Sequence, residues 1–371
     1  MGKVLYTGLN LSGEKESGFV DAMSNKDALH ILKKSGLQDV KLHSNVTTTQ
    51  KNSDPDWLSE ADRKHIAKLQ VKWQKEINLS SFLGEVIKSN FVPIAAGAAM
   101  VYYGYSNGSA SWMSAGTILA SALPFFNLWN YRLLTAHDKL IKATTFGEWD
   151  KVEKLSEEIR RSTKERSVVI QADTLEANFY AKNDNIERAK DLLSVHEDYL
   201  EDTTPGLYEN KLASLYYASK DYDLYLLNMK KAFKASGQDI MRVDMAMAEA
   251  KFGNLLVAER EIDKVYTEAM PAFGVPFVYY TRGIIEHKKK NLEEAKDELI
   301  LAYSGFLEYS KNPATWVATA LTAGSLSLVL HDLNEHEKAY ELLKKSTVNV
   351  LKIHADEIMI NNLKNKFPQL F

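Results

Sequence analysis

The chain has 371 residues, of which 45% are hydrophobic and 26% charged, an ordinary composition for a folded protein of two or three domains with a sizeable core. A formal charge of -3 provides no positive field to draw the whole molecule onto nucleic acid. The absence of cysteine excludes disulfides, thiolate nucleophiles and zinc sites that need sulfur ligands.

Residues 1–44 read as a small α/β module. Met1 to Asn10 lacks a charged start followed by an apolar core and a cleavage site, so no cleavable signal peptide is expected. Val4, Leu5 and Tyr6 predict a strand, Gly13 to Lys15 a turn, and Phe19, Val20 and Ala22 a second strand. Ser24 or Asn25 can then cap a helix carrying Ala28, Leu29, Ile31 and Leu32, which Gly36 ends. Val40 and Leu42 complete a ββαβ order. The run of Gly13, Gly18, Ala22, Ala28, Leu32 and Gly36 followed by Val40 resembles the small amino-terminal module of the inner-membrane platform proteins of type II secretion and type IV pilus systems. The chain lacks the duplicated transmembrane helical domain of those proteins, so their function does not carry over.

Residues 45–88 read as a linker and an amphipathic helix. Ser44 to Asp56 is too polar to order itself. Beyond it, Ile66, Leu69, Trp73 and Ile77 recur on one helical face, with Lys64, Lys68, Lys72 and Lys75 around the rest. Such a helix either packs against protein or lies on an anionic lipid surface.

Residues 89–131 carry no charged side chain. Phe91 to Tyr105 and Trp112 to Trp129 are apolar stretches separated by a polar turn at Asn107-Gly108. They predict a transmembrane helical hairpin, with a re-entrant or monotopic hairpin as the second form. Tyr102, Tyr103, Tyr105 and Trp112 near the turn, and Trp129 and Tyr131 at the exit, stand where interfacial aromatic belts are expected. Lys88, Arg132, Lys139 and Lys142 flank the hairpin and its turn is uncharged. The expectation is therefore an inner-membrane location with both termini cytoplasmic, the lipid bilayer being one partner. A buried hairpin within a folded domain is the competing reading.

Residues 132–371 read as helices throughout. Tyr279, Gly283, Ala295, Leu299 and Ala302 form a pattern of small and large positions that recurs. Ala177, Tyr180, Ala189 and Leu193 repeat it, as do Ala213, Tyr216, Tyr225, Met229 and Ala232, and Ala246, Gly253, Ala258 and Ile262. With outer copies near Gly147-Glu148-Trp149 and at Asn334, Ala339 and Leu343, the pattern resembles the tetratricopeptide family, whose repeat is about 34 residues. Helical pairs of another repeat class remain the alternative. The fold expected for the whole is mainly α: a ββαβ module, a transmembrane hairpin and a tetratricopeptide-like α-solenoid.

The resemblance implies a concave groove built by the first helix of each pair. Its lining would include Thr174, Asn178, Asn210, Ser214, Tyr217, Phe277, Tyr280, Ile284 and His287. These residues depart from the Lys and Asn set with which chaperone-binding members clamp a terminal carboxylate. They suit a protein or peptide partner with apolar anchors.

No phosphate-binding glycine loop, dinucleotide fingerprint, His-Glu-x-x-His or nucleophile turn is present. His331 and His336 stand five apart, a poor spacing for one helical face. No catalytic residue, metal or cofactor is expected. Two readings of function follow: an adaptor or scaffold recruiting a protein to a membrane assembly such as a secretion or pilus apparatus, and an immunity or defence protein that binds a toxin or intruder component. The sequence leaves the oligomeric state open.

Overall fold

The computed structural model describes residues 2–9, 15–22, 25–42, 79–129, 131–310, 312 and 315–371. The linker and most of the amphipathic helix expected before residue 79 lie outside them. The described residues fall into two compact units, one drawn from Met1–Leu69, Leu226–Lys311 and Ala318–Phe371, the other from Gln70–Tyr225 and Asn312–Val317.

The first unit begins with β1 (Gly2–Leu9), which pairs antiparallel with both β2 (Lys15–Ala22) and β3 (Gln38–Leu42) to give the order β2-β1-β3. Helix α1 (Asn25–Lys34) buries Ala28, Ile31 and Leu32 against Val20, Ala22 and Leu37. Gly36 adopts φ 88°, which lets the Leu37 N–H reach back to the Leu32 carbonyl at 3.1 Å and turns the chain into β3.

The second unit is helical: α2 (Leu79–Ser89), α3 (Phe91–Ser106), α4 (Ala110–Trp129), α5 (Tyr131–Phe146), α6 (Val152–Ser162), α7 (Arg166–Lys182), α8 (Ile186–Ser194), α9 (Glu197–Thr203) and α10 (Leu207–Ala218). Helices α3 and α4 form a hairpin, and here the transmembrane expectation is overturned. Among the described residues no helix is long and apolar enough to cross a membrane. Helix α3 has 16 residues, about 24 Å at 1.5 Å per residue, against a hydrocarbon core of about 30 Å. Helix α4 has 20 residues, but Ser111, Ser114, Thr117, Ser121 and Pro124 dilute its apolarity. Absence of charge is not the same as hydrophobicity, since glycine, alanine, serine and threonine are uncharged yet gain little on leaving water. The inner-membrane placement with both termini cytoplasmic, which rested on that hairpin, falls with it.

Beyond the hairpin the unit has two contiguous apolar clusters. Ala136, Leu140 and Ala143 of α5 meet Val152, Leu155 and Ile159 of α6 and Ala172 of α7. Ala177, Tyr180 and Ala181 of α7 meet Ala189 and Leu193 of α8, Leu200 of α9 and Leu215 of α10.

Helix α11 (Tyr222–Ser236) leads from the second unit into the first, which continues through α12 (Asp239–Phe252), α13 (Leu255–Ile262), α14 (Val275–Lys288), α15 (Leu292–Glu308), α16 (Trp316–Asp332), α17 (His336–Leu342), α18 (Lys345–His354) and α19 (Glu357–Lys366). Gly283 of α14 faces Leu299 of α15 so closely that a Cβ would lie 2.5 Å from the leucine Cγ.

Four of the helix pairs share one turn. Asp184, Lys220, Lys290 and Asn334 each have φ between 59° and 67°. In each case the next residue's N–H returns to the carbonyl five residues earlier: Asn185 to Tyr180, Asp221 to Tyr216 and Asn291 to Glu286 at 2.9 Å, and Glu335 to Leu330 at 2.8 Å. A left-handed residue closing a 6→1 bond satisfies the helix's last carbonyls and reverses the chain within three residues.

A lysine pays a steric cost in this conformation that glycine avoids. Lys290→Gly is therefore expected to stabilise the protein by about 0.5–1 kcal/mol. Gly283→Ala is expected to destabilise it by about 1–3 kcal/mol through overpacking. Urea midpoints at neutral pH check both, and a loss of stability in Lys290→Gly would contradict the turn assignment.

Candidate partner-binding surface

In the second unit, the sequence-derived groove residues lie on α7 and α10, which pack against each other. Asn178, Asn210 and Tyr217 are half-buried. Asn178 Nδ2 donates to the Thr174 carbonyl at 2.9 Å, and Thr174, itself buried, donates to the Ile170 carbonyl at 2.7 Å. These bonds leave the Asn178 side-chain carbonyl oxygen with its acceptor capacity. The Tyr217 ring sits 5.4 Å from that of Tyr225 and 6.1 Å from that of Tyr222, tilted 61° to each. Its position is thereby set by edge-to-face contacts rather than left to solvent.

One turn beyond Asn178 on the same face stands Lys182, which the sequence reading passed over. Its ammonium lies 5.3 Å from the centroid of Trp149, whose ring stacks on Phe179 at 5.9 Å. Burial, aided by the like charge of Lys220, pushes the Lys182 ammonium down to about 8. The Lys220 ammonium is thus near enough to disfavour the charged form of Lys182. In the sequence this corner is marked by Gly147-Glu148-Trp149, around which the first, outer copy of the repeat pattern lies.

A network of buried charge holds this surface from behind. Arg160 of α6 donates from Nη1 to Asp173 Oδ1 at 2.6 Å and to Glu176 Oε2 at 2.7 Å, both on α7. His196 Nε2 donates to the other Asp173 oxygen at 2.7 Å. Tyr180 donates to Glu176 at 3.0 Å and contacts Glu153, while the Arg188 guanidinium lies 4.0 Å from its ring centroid. Burial, with the Glu153 hydrogen bond, raises the Tyr180 hydroxyl far above its ordinary range, so it remains a donor. Each polar group is spent on another, which ties α6, α7 and the start of α9 into one body.

The remaining predicted positions lie in the first unit. Tyr280 and Ile284 of α14 are only 3% and 9% exposed, which gives them to the core rather than to an open groove. Ser325 of α16 lies 3.5 Å from the Tyr280 hydroxyl, and Lys251 lies over its ring at 5.9 Å while pairing with Asp356 at 3.2 Å. Phe277 is half-buried with its ring 4.7 Å from Phe306. His287 Nε2 lies 3.2 Å from Asp332 of α16, which also contacts Lys366 of α19. Burial holds the His287 pKa below its ordinary value against the pull of Asp332. The chain's own later helices thus occupy much of what these side chains offer.

Also in the first unit, the sheet module meets the repeat helices through α1. Asp27, 3% exposed, accepts from Thr267 Oγ1 at 3.3 Å and from the Tyr279 hydroxyl at 3.4 Å. Lys34 donates to the Lys264 carbonyl at 3.4 Å and lies 4.4 Å from the Tyr266 ring centroid. Burial and the nearby charge of Arg282 hold the His30 pKa down.

Among the described residues no group of three or more His, Asp or Glu side chains is placed to hold a metal. His331 and His336 instead stack edge to face at 4.6 Å, with Phe367 beside them.

Arg160→Met leaves the Asp173 and Glu176 carboxylates buried without their cation. Loss of one partner of such a pair costs about 3–5 kcal/mol; because Arg160 is itself a third exposed, a loss of about 3 kcal/mol, at the low end, is expected in urea unfolding. Wild-type stability in the variant would show that the network is solvated. Compared with known proteins, the chain matches no family model, no curated protein and no solved structure.

Proposed function

We propose that this chain is a holding protein without catalytic activity, which binds a protein segment on the face formed by α7 and α10. The observation that carries the reading is the placement of Asn178, Lys182, Asn210 and Tyr217, half-buried on these two helices. A tyrosine ring held by edge-to-face contacts supplies contact area at small entropic cost, and neighbouring amides supply adaptable hydrogen bonds. The Lys182 and Lys220 ammonium groups add preference for an acidic residue, so the segment combines an apolar anchor for Tyr217 with a carboxylate.

The recurring left-handed turn and the small residues between paired helices support an α-solenoid of tetratricopeptide type as the framework, in which one face of consecutive first helices is kept for ligands.

Asn210→Ala combined with Tyr217→Ala is expected to abolish capture of the partner by the full chain while shifting the thermal midpoint by no more than a few degrees. Retained capture would show that the face is misassigned, and unfolding of the variant would show that Tyr217 is core. Capture should also weaken several-fold between pH 7 and pH 9, because Lys182 loses its proton near 8. Lys182→Arg should remove that dependence, since arginine stays protonated; an unchanged pH profile would exclude a role for the ammonium.

A further inference from the structure

Helices α3 and α4 touch each other through backbone. A Cβ on Gly97 would lie 2.5 Å from the Gly116 carbonyl oxygen and 2.7 Å from Ala120 Cβ, and one on Gly104 would lie 2.7 Å from the Met113 nitrogen. The inner seam therefore consumes glycine and small side chains, and the bulky residues are turned outward. Tyr102 is 74% exposed, Tyr105 77%, Ile118 66% and Phe125 65%. Ser106, Thr117 and Ser121 donate their hydroxyls to carbonyls one turn back in their own helices, which leaves the outer surface more apolar than its composition suggests.

Two properties of this surface select its occupant. The first is area. Its seven outward aromatic side chains, at about 150–250 Å² each when fully exposed, leave on the order of 900 Å² open. Summed over both helices, that is of the same order as the share of about 800 Å² that each partner contributes to a standard interface. The second is charge. With no charged side chain from 89 to 131, the hairpin has nothing for a charged partner to complement. Two identical copies meeting about a two-fold axis bring no like charges together, and tyrosine hydroxyls on both sides can donate and accept in either direction.

We propose that the 91–129 hairpin is the surface through which two copies of this chain associate, α3 and α4 of one copy pairing with those of its partner as a four-helix arrangement. The interface is separate from the α7–α10 face, so dimerisation makes the protein bivalent for its partner segment.

The test uses the full chain in detergent-free buffer. Sedimentation equilibrium at micromolar concentration should give the mass of a dimer, and Tyr102→Lys with Phe125→Lys should weaken association at least 100-fold, both sites being exposed enough to leave the fold intact. Because the protein has no cysteine, Ile118→Cys should form a disulfide-linked dimer under mild oxidation, whereas Ser162→Cys, an exposed site elsewhere, should not. A monomeric wild type would overturn the proposal, as would equal crosslinking at both positions. Flotation as monomers with phosphatidylcholine vesicles would overturn it too, by giving the surface to lipid.

Discussion

The structure depends on how closely paired helices can approach. An α-helix with ordinary side chains stands 8–10 Å from its neighbour, and a pair that also has to reverse direction within three residues needs small groups at the seam. Gly283 against Leu299 shows the limit, since the glycine has room for a hydrogen and no more. The left-handed residues at 184, 220, 290 and 334 supply the reversal. Seam and turn reinforce each other, because the 6→1 bond that closes each turn also fixes the rotation at which the small residues face the partner helix. The same means recurs in the α3–α4 hairpin, where Gly97, Gly104 and Gly116 bring two backbones together. There it turns large side chains outward instead of inward.

Polar groups follow from this geometry. Once α6 and α7 are close, the charges between them leave water, and only a mutually satisfying set is tolerated. Arg160, Asp173, Glu176, Tyr180 and His196 form such a set. It joins α6, α7 and the start of α9 behind the face that carries Asn178, Asn210 and Tyr217. In the other unit the corresponding side chains have been taken up by packing, with Tyr280 and Ile284 buried and His287 set against Asp332.

The sequence displayed some of this plainly. The small residues Ala177, Ala189, Gly283 and Ala295 recur at helix-pair spacing, and the structure buries each of the four among its apolar neighbours. The hairpin was legible as two helices and a turn, but its environment was not. A charge-free stretch rich in Ala, Gly, Ser and Thr looks like a membrane span to a count of charges, while length and apolarity together fall short of one. The candidate face was legible only in part. Helical spacing places Asn178 and Tyr217 on first helices, yet it cannot separate half-buried Tyr217 from buried Tyr280, because lateral packing between helix pairs depends on contacts distant in sequence. Lys182 was invisible for the same reason, since its depressed pKa comes from burial and from the charge of Lys220, 38 positions away in sequence.

The central claim, that the α7–α10 face is where a partner protein sits, is tested most directly by placing a photo-crosslinking amino acid at Tyr217 and, separately, at Asn210 in the full chain inside its native cells. The account predicts that both positions capture one and the same protein and that a probe at Ser162 captures none of it. Different products at 217 and 210, or the same product at all three, would contradict it.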